Sequence, residues 1–257
     1  MSDESSGPTT SPTVETLGLF VATFALQVLL LSVLGPAALG LFALGPDVVI
    51  QPWTLVTSVY AHAGPGHLLS NAIVLMLVGF PLERSTSRVR FHTYFLVTGA
   101  LAGLAEVFVG GIALGIVAGV GLAVYQLLNT ITFGLFGALV GLLNGLTGGL
   151  IGSVVAPILG IAGIKQVIGA SGAVFALLGY AVSGNRLTGG VLSRLGLGAT
   201  GQIVVFAVLA LVVTILTGSP GVALVGHFAG LFMGLIAGRL GVLDPDEADT
   251  GGRIDAR

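Results

Sequence analysis

VALVGHFAGLFMGLIAGRLG, residues 222–241, is apolar except for His227 and Arg239. A run of about 20 apolar residues is long enough to cross a bilayer as a helix. Gly226, Gly230, Gly234 and Gly238 recur every four residues. On a helix they form one ridge without side chains, the surface that lets membrane helices pack backbone to backbone. Outward from this stretch the same type of run recurs at about 16–36, 67–82, 91–110, 169–184 and 201–217. These runs predict an all-α fold: a polytopic membrane helical bundle with a six-span core. Composition agrees, with 54% hydrophobic and 8% charged residues in 257, against roughly a quarter charged in soluble domains. A membrane barrel needs short alternating segments, which the unbroken runs exclude. The absence of cysteine removes disulfides, thiolate chemistry and zinc ribbons. With Lys+Arg 9 against Asp+Glu 11, there is no basic surface for nucleic acid.

Residues 1–15 are polar and read as a disordered tail. Residues 16–241 form the membrane domain, and 242–257 an acidic tail. Residues 37–61 read as an interfacial loop in which Trp53 sits at headgroup depth. This layout puts Arg84, Arg88, Arg90, Arg186, Arg194, Arg239, Arg253 and Arg257 on one side and only Lys165 on the other. The positive-inside rule makes the first side cytoplasmic. Residues 107–164 carry no charge and hold two further four-residue series, Gly111/Gly115/Gly119 and Gly137/Gly141/Gly145/Gly149. They predict two extra hydrophobic helices, packed closely through these ridges, as two additional spans with a turn near Gln126–Thr130. Re-entrant or interfacial helices are the alternative.

In a chain this poor in polar groups, intramembrane histidines point to function. His67 and Asn71, four residues apart, project from one face near the outer end of the second span. Ser171 and His227 start two later spans at the same end. Gly172, Ala176 and Gly179 give the serine's helix a small face that matches the ridge of Gly226, Gly230 and Gly234. Packed together, these helices bring Ser171 and His227 within reach as an activated nucleophile and its base. The Ser171 N–H, His67 and Asn71 are candidate donors to an oxyanion. No acidic residue lies near either Ser171 or His227 in sequence, so no triad is visible. Glu106, at the outer end of the third span, reads either as an intramembrane carboxyl or as an interfacial residue that simply reaches water.

Three separated motifs, HAGPGHLLSN (62–71), GASGAVFALLGY (169–180) and HFAGLFMG (227–234), resemble those of the rhomboid intramembrane serine proteases. The resemblance implies that Ser171 is the nucleophile and His227 the general base of a dyad without an acid. His67, Asn71 and Gly169 would form the oxyanion hole. His62, Phe175, Gly172, Gly230 and Gly234 would support the site, Phe175 by stacking on His227. No cofactor or metal is implied. The partners implied are the lipid bilayer and substrates with transmembrane helices, in a prokaryotic plasma membrane, with the site open to the extracytoplasmic side. Three features depart from the family pattern. Phe175 replaces a usual tyrosine, Thr54 an arginine, and 107–164 is a long insert between the third and fourth family spans. A catalytically silent membrane chaperone or quality-control binder is the alternative function, and a transporter, suggested by Glu106 and the insert, is a third.

Overall fold

Ser11 starts the first helix: its hydroxyl accepts the Val14 N–H, and Pro12 follows at the position where a missing N–H costs nothing. Helix α1 (Pro12–Leu34) therefore begins inside the stretch read as tail. The computed structural model describes residues 11–147, 166–217 and 222–244. After two short 3-10 turns (Gly35–Leu41 and Pro46–Val49) come α2 (Thr54–Tyr60), α3 (Pro65–Leu82) and α4 (Arg88–Leu104). Helix α4 continues through a π-helical turn, Ala105–Gly110, into α5 (Gly111–Ile131), followed by α6 (Leu135–Leu146). The chain then forms α7 (Ser171–Ser183), α8 (Arg186–Arg194), α9 (Ala199–Leu216) and α10 (Leu224–Arg239). Among the described residues the only extended pairing is one antiparallel bridge, Leu44 to Val167.

Among the described residues four helical segments are long and apolar enough to cross a membrane: Pro12–Leu41, Pro65–Leu82, Arg88–Gly110 and Ala199–Leu216. Helices α7 and α10, with 13 and 16 residues, rise only about 20 and 24 Å at 1.5 Å per residue. Both fall short of the roughly 30 Å hydrocarbon core. They can be short because the other helices surround them. Leu177 and Ala176 of α7 and Leu235 of α10 are fully buried, and α7 packs on α10, α4 and α3. The seam between α7 and α10 is made of main chain. A Cβ at Gly230 or Gly234 would strike the carbonyl oxygens of Gly172 or Ala176, and one at Gly179 would strike that of Leu231. This is the close approach the glycine ridge predicts.

The insert departs from expectation in two ways. Helix α5 runs straight through Gln126–Thr130, and the break lies at Thr132–Gly134, where Phe133 and Gly134 take positive φ of 50° and 86°. The pair Gly119–Ile131 and Leu135–Leu146 is bent by 115°, the form of a broken span or re-entrant hairpin instead of two straight crossings. Moreover, among the described residues a Cβ at Gly111, Gly115, Gly119, Gly141 or Gly145 would meet nothing within 4 Å, so these glycines make no close contact with another described helix. Gly149 lies outside the described residues, as do residues 1–10 and 245–257 of the two tails and Lys165. At the other end of the chain, Leu243 is 2% exposed, and Asp244 accepts a hydrogen bond from the Tyr180 hydroxyl at 2.9 Å. The packed region therefore continues past the end of the last helix.

Candidate active site

Three helices that run in the same direction, α3, α7 and α10, present their N-terminal turns at one end of the bundle, and these turns carry His67, Ser171 and His227. At the opposite end lie Glu83, Arg88 and Arg239. A cavity of about 530 Å³ opens between the three N-termini and is lined by His67, Asn71, Ser171, Phe175, His227 and Gln166, among others.

Ser171 is the first residue of α7, and no side chain caps this helix. Its N–H is thus one of the first-turn donors that a helix cannot satisfy internally. The approach segment is fixed by backbone pairing. Val167 exchanges two hydrogen bonds with Leu44 (2.9 and 2.8 Å), and the Gly169 N–H donates to the Ser58 carbonyl at 2.9 Å. Gly169 has φ +141°, and a Cβ there would stand 2.5 Å from Cε1 of His67. Glycine is needed both for this backbone angle and for room beside the ring.

The Ala63 N–H donates to Nδ1 of His67 at 3.3 Å. That assigns the proton of a neutral ring to Nε2 and makes Nε2 a donor. Asn71, 5% exposed, gives one amide proton to the His67 carbonyl at 3.0 Å and keeps a second for another acceptor. His227 is buried, its ring stacked on Phe175 with centroids 4.4 Å apart and planes at 27°. The stack needs no tyrosine hydroxyl. Among the described residues no hydrogen bond joins Ser171 to His227; the two share the cavity. Catalytic hydrogen bonds often tighten only when substrate is bound.

His62 lies behind His67, the two rings 5.3 Å apart, and packs edge-on to Phe20. Its Nδ1 donates to the Tyr60 carbonyl at 3.0 Å. Burial, together with the neighbouring His67, pushes His62 down to about 4, so near neutral pH it is an uncharged wall. Its backbone is held by a residue the sequence reading passed over. Gln27 of α1 donates to the His62 carbonyl (3.0 Å) and accepts its N–H (3.2 Å). The available signal was a lone amide in an otherwise apolar first span. Trp53 is half-exposed, and Thr54 is buried with its hydroxyl on the Gln51 carbonyl at 2.6 Å. Neither touches the cavity.

Two further readings need correction. Glu106 does not reach water: it is 0% exposed, and its Oε2 accepts the Gly226 N–H at 2.8 Å. An acidic side chain therefore does sit next to His227 in space, brought there from α4 by the π turn. Chemically, the arrangement offers a hydroxyl, an imidazole and several N–H donors around one cavity, the set that acyl transfer to serine requires.

One segment of this chain is 41% identical over 44 residues to Rhomboid-related protein 1 of Caenorhabditis elegans, covering 17% of this chain and 12% of that protein. Another is 32% identical over 90 residues to RHOMBOID-like protein 1 of Arabidopsis thaliana, covering 32% of this chain and 23% of that protein. The matches thus span less than a quarter of either relative. The model of the Rhomboid domain reaches further, matching residues 50–147 and 119–243 with an overlap inside the insert. These segments take in every helix from α2 to α10 and all the residues around the cavity, and this multi-pass membrane protein belongs to the rhomboid family.

Proposed function

We propose that the protein is an intramembrane serine endopeptidase that cleaves within or beside the transmembrane helices of membrane-protein substrates. The observation that carries this reading is the shared cavity. Ser171 and His227 line it from two helices locked together by glycine–carbonyl contacts, with His67 and Asn71 on the facing wall. Ser171 Oγ attacks the scissile carbonyl while His227 takes the hydroxyl proton. The oxyanion is met by the Ser171 N–H, Nε2–H of His67 and the second amide proton of Asn71. His227 then returns the proton to the leaving amine, and a water, deprotonated by the same imidazole, releases the acyl group. A helical substrate hides its carbonyls in its own hydrogen bonds, so cleavage favours helix-breaking or small residues near the cut.

The basic residues Arg84, Arg88, Arg90 and Arg239 lie at the end opposite the cavity. By the positive-inside rule this supports a site that opens to the extracytoplasmic side. Labelling of the purified protein by a fluorophosphonate, paired with cleavage of a labile transmembrane substrate, tests the reading. Wild type is expected to do both and Ser171→Ala neither. Equal cleavage by Ser171→Ala overturns the mechanism, and capture of substrate without cleavage by wild type supports the silent-binder alternative.

A further inference from the structure

We infer that Glu106 is a positioning residue for His227, holding the first turn of α10 and supplying the negative charge that a serine–histidine dyad otherwise lacks. The inference rests on the serine-protease reading above. The π turn Ala105–Gly110 widens the end of α4 and directs Glu106 inward, where it is fully buried. Turns of this kind are often found at functional positions. Its carboxylate accepts the N–H of Gly226, the residue preceding His227. Helix α10 has no side-chain cap of its own at Ala223 and no acidic residue in its first turn. Glu106 thus performs from a neighbouring helix what a capping carboxylate does from within, and it complements the positive end of the α10 dipole.

The surroundings are shaped to this side chain. A Cβ at Gly110 would come 2.9 Å from Oε1 of Glu106, and one at Gly226 would come 3.4 Å from its Cβ. On the base itself, Nδ1 of His227 is buried and has no hydrogen-bond partner among the described residues. In a triad the acid bonds to that nitrogen, orienting the ring and stabilising the imidazolium. Here the two tasks are divided. Phe175 orients the ring by stacking, and the Glu106 carboxylate, held on the N–H of the preceding residue, offers a negative charge beside the imidazolium that forms when His227 takes the serine proton. The other titratable groups that share the cavity with His227 are His67 of α3 and the Ser171 hydroxyl of α7. Helix α9 has no ionisable side chain.

Fluorophosphonate labelling rates of the full chain in detergent, measured from about pH 3 to 9, test the inference. Glu106→Gln keeps an acceptor for the Gly226 N–H and removes the charge. Its maximal rate is expected to fall about tenfold, and the acid limb to move to lower pH by about half a unit or more, because the imidazolium loses support. Gly110→Ala displaces the carboxylate without deleting it and is expected to slow labelling several-fold with little change in thermal midpoint, which keeps the test decisive if Glu106→Gln does not fold. A Glu106→Gln profile that superimposes on wild type, or a Gly110→Ala rate equal to wild type, overturns the inference and leaves Glu106 a structural cap. Absence of labelling of wild type at every pH overturns the protease reading itself, and this inference falls with it.

Discussion

One methyl group at Gly169 probes the oxyanion hole. Gly169→Ala meets both a φ of +141° and the His67 ring 2.5 Å away. It is expected to cost about 1–3 kcal/mol of stability and, by displacing a donor, roughly a hundredfold in the labelling rate of Ser171; unfolding and labelling measurements separate the two effects. Gln27→Leu acts at a distance from the chemistry. It leaves the buried N–H and C=O of His62 without their partners and is expected to cost about 2–4 kcal/mol, two groups at about 1–3 each, read by denaturant unfolding in micelles. These residues mark the limit of what the sequence reveals. His67 and Asn71 were legible because their contact is local, four positions along one helix. Gln27 and Glu106 were not, because their partners lie 35 and 120 residues away and no local period records such a pairing.

Glycine ridges look alike in sequence whether or not a partner helix exists. Those of α7 and α10 meet main chain at contact distance, whereas those of α5 and α6 largely meet no other described residue. Gly234→Leu is therefore expected to destabilise by more than about 3 kcal/mol, since the opposing group is a backbone carbonyl that cannot rotate away. Gly115→Ala, with nothing within 4 Å, is expected to be neutral or to stabilise by up to about 1 kcal/mol. Thermal midpoints of the two variants check the contrast. The break in the insert was misplaced for a related reason. Asn129 and Thr132, polar residues that suggest a loop, bind the start of the next helix, Asn129 accepting the Gly137 N–H and Thr132 the Phe136 N–H, each at 3.0 Å. The chain turns where φ becomes positive, one residue before Gly134. Four helices of the core were legible from apolar run length, and the short α7 and α10 from their matching small-residue faces; the path of the insert depends on contacts that neither signal encodes.

Across the whole molecule, the end opposite the cavity is stitched by polar contacts that join distant parts of the chain. Glu83 at the end of α3 accepts the Ser11 hydroxyl (2.9 and 2.7 Å) and the Thr13 N–H (3.0 Å). Glu15 pairs with Arg88 and His92, and Arg90 reaches the Asp244 carbonyl. Burial pushes the Glu83 carboxyl up, but hydrogen bonds from Thr13 and Ser11 outweigh it and hold it below its ordinary 4.5. A carboxyl held low contributes stability above its ordinary value and loses it as pH falls through the folded value. His62, lowered from 6.5 to about 4, makes the unfolded chain the better proton acceptor between those values. The thermal midpoint is therefore expected to decline as pH drops from about 6.5 to 4, then further as Glu83 protonates, with Glu83→Gln lacking the second step. The main-chain seam between α7 and α10 has a different consequence. Because no rotamer sets the spacing of the two reacting groups, mutations in the apolar lining can alter what enters the cavity without retuning that distance. On the proposed protease reading, such a protein can drift in what it cuts while its cutting gauge, fixed by peptide geometry, stays constant.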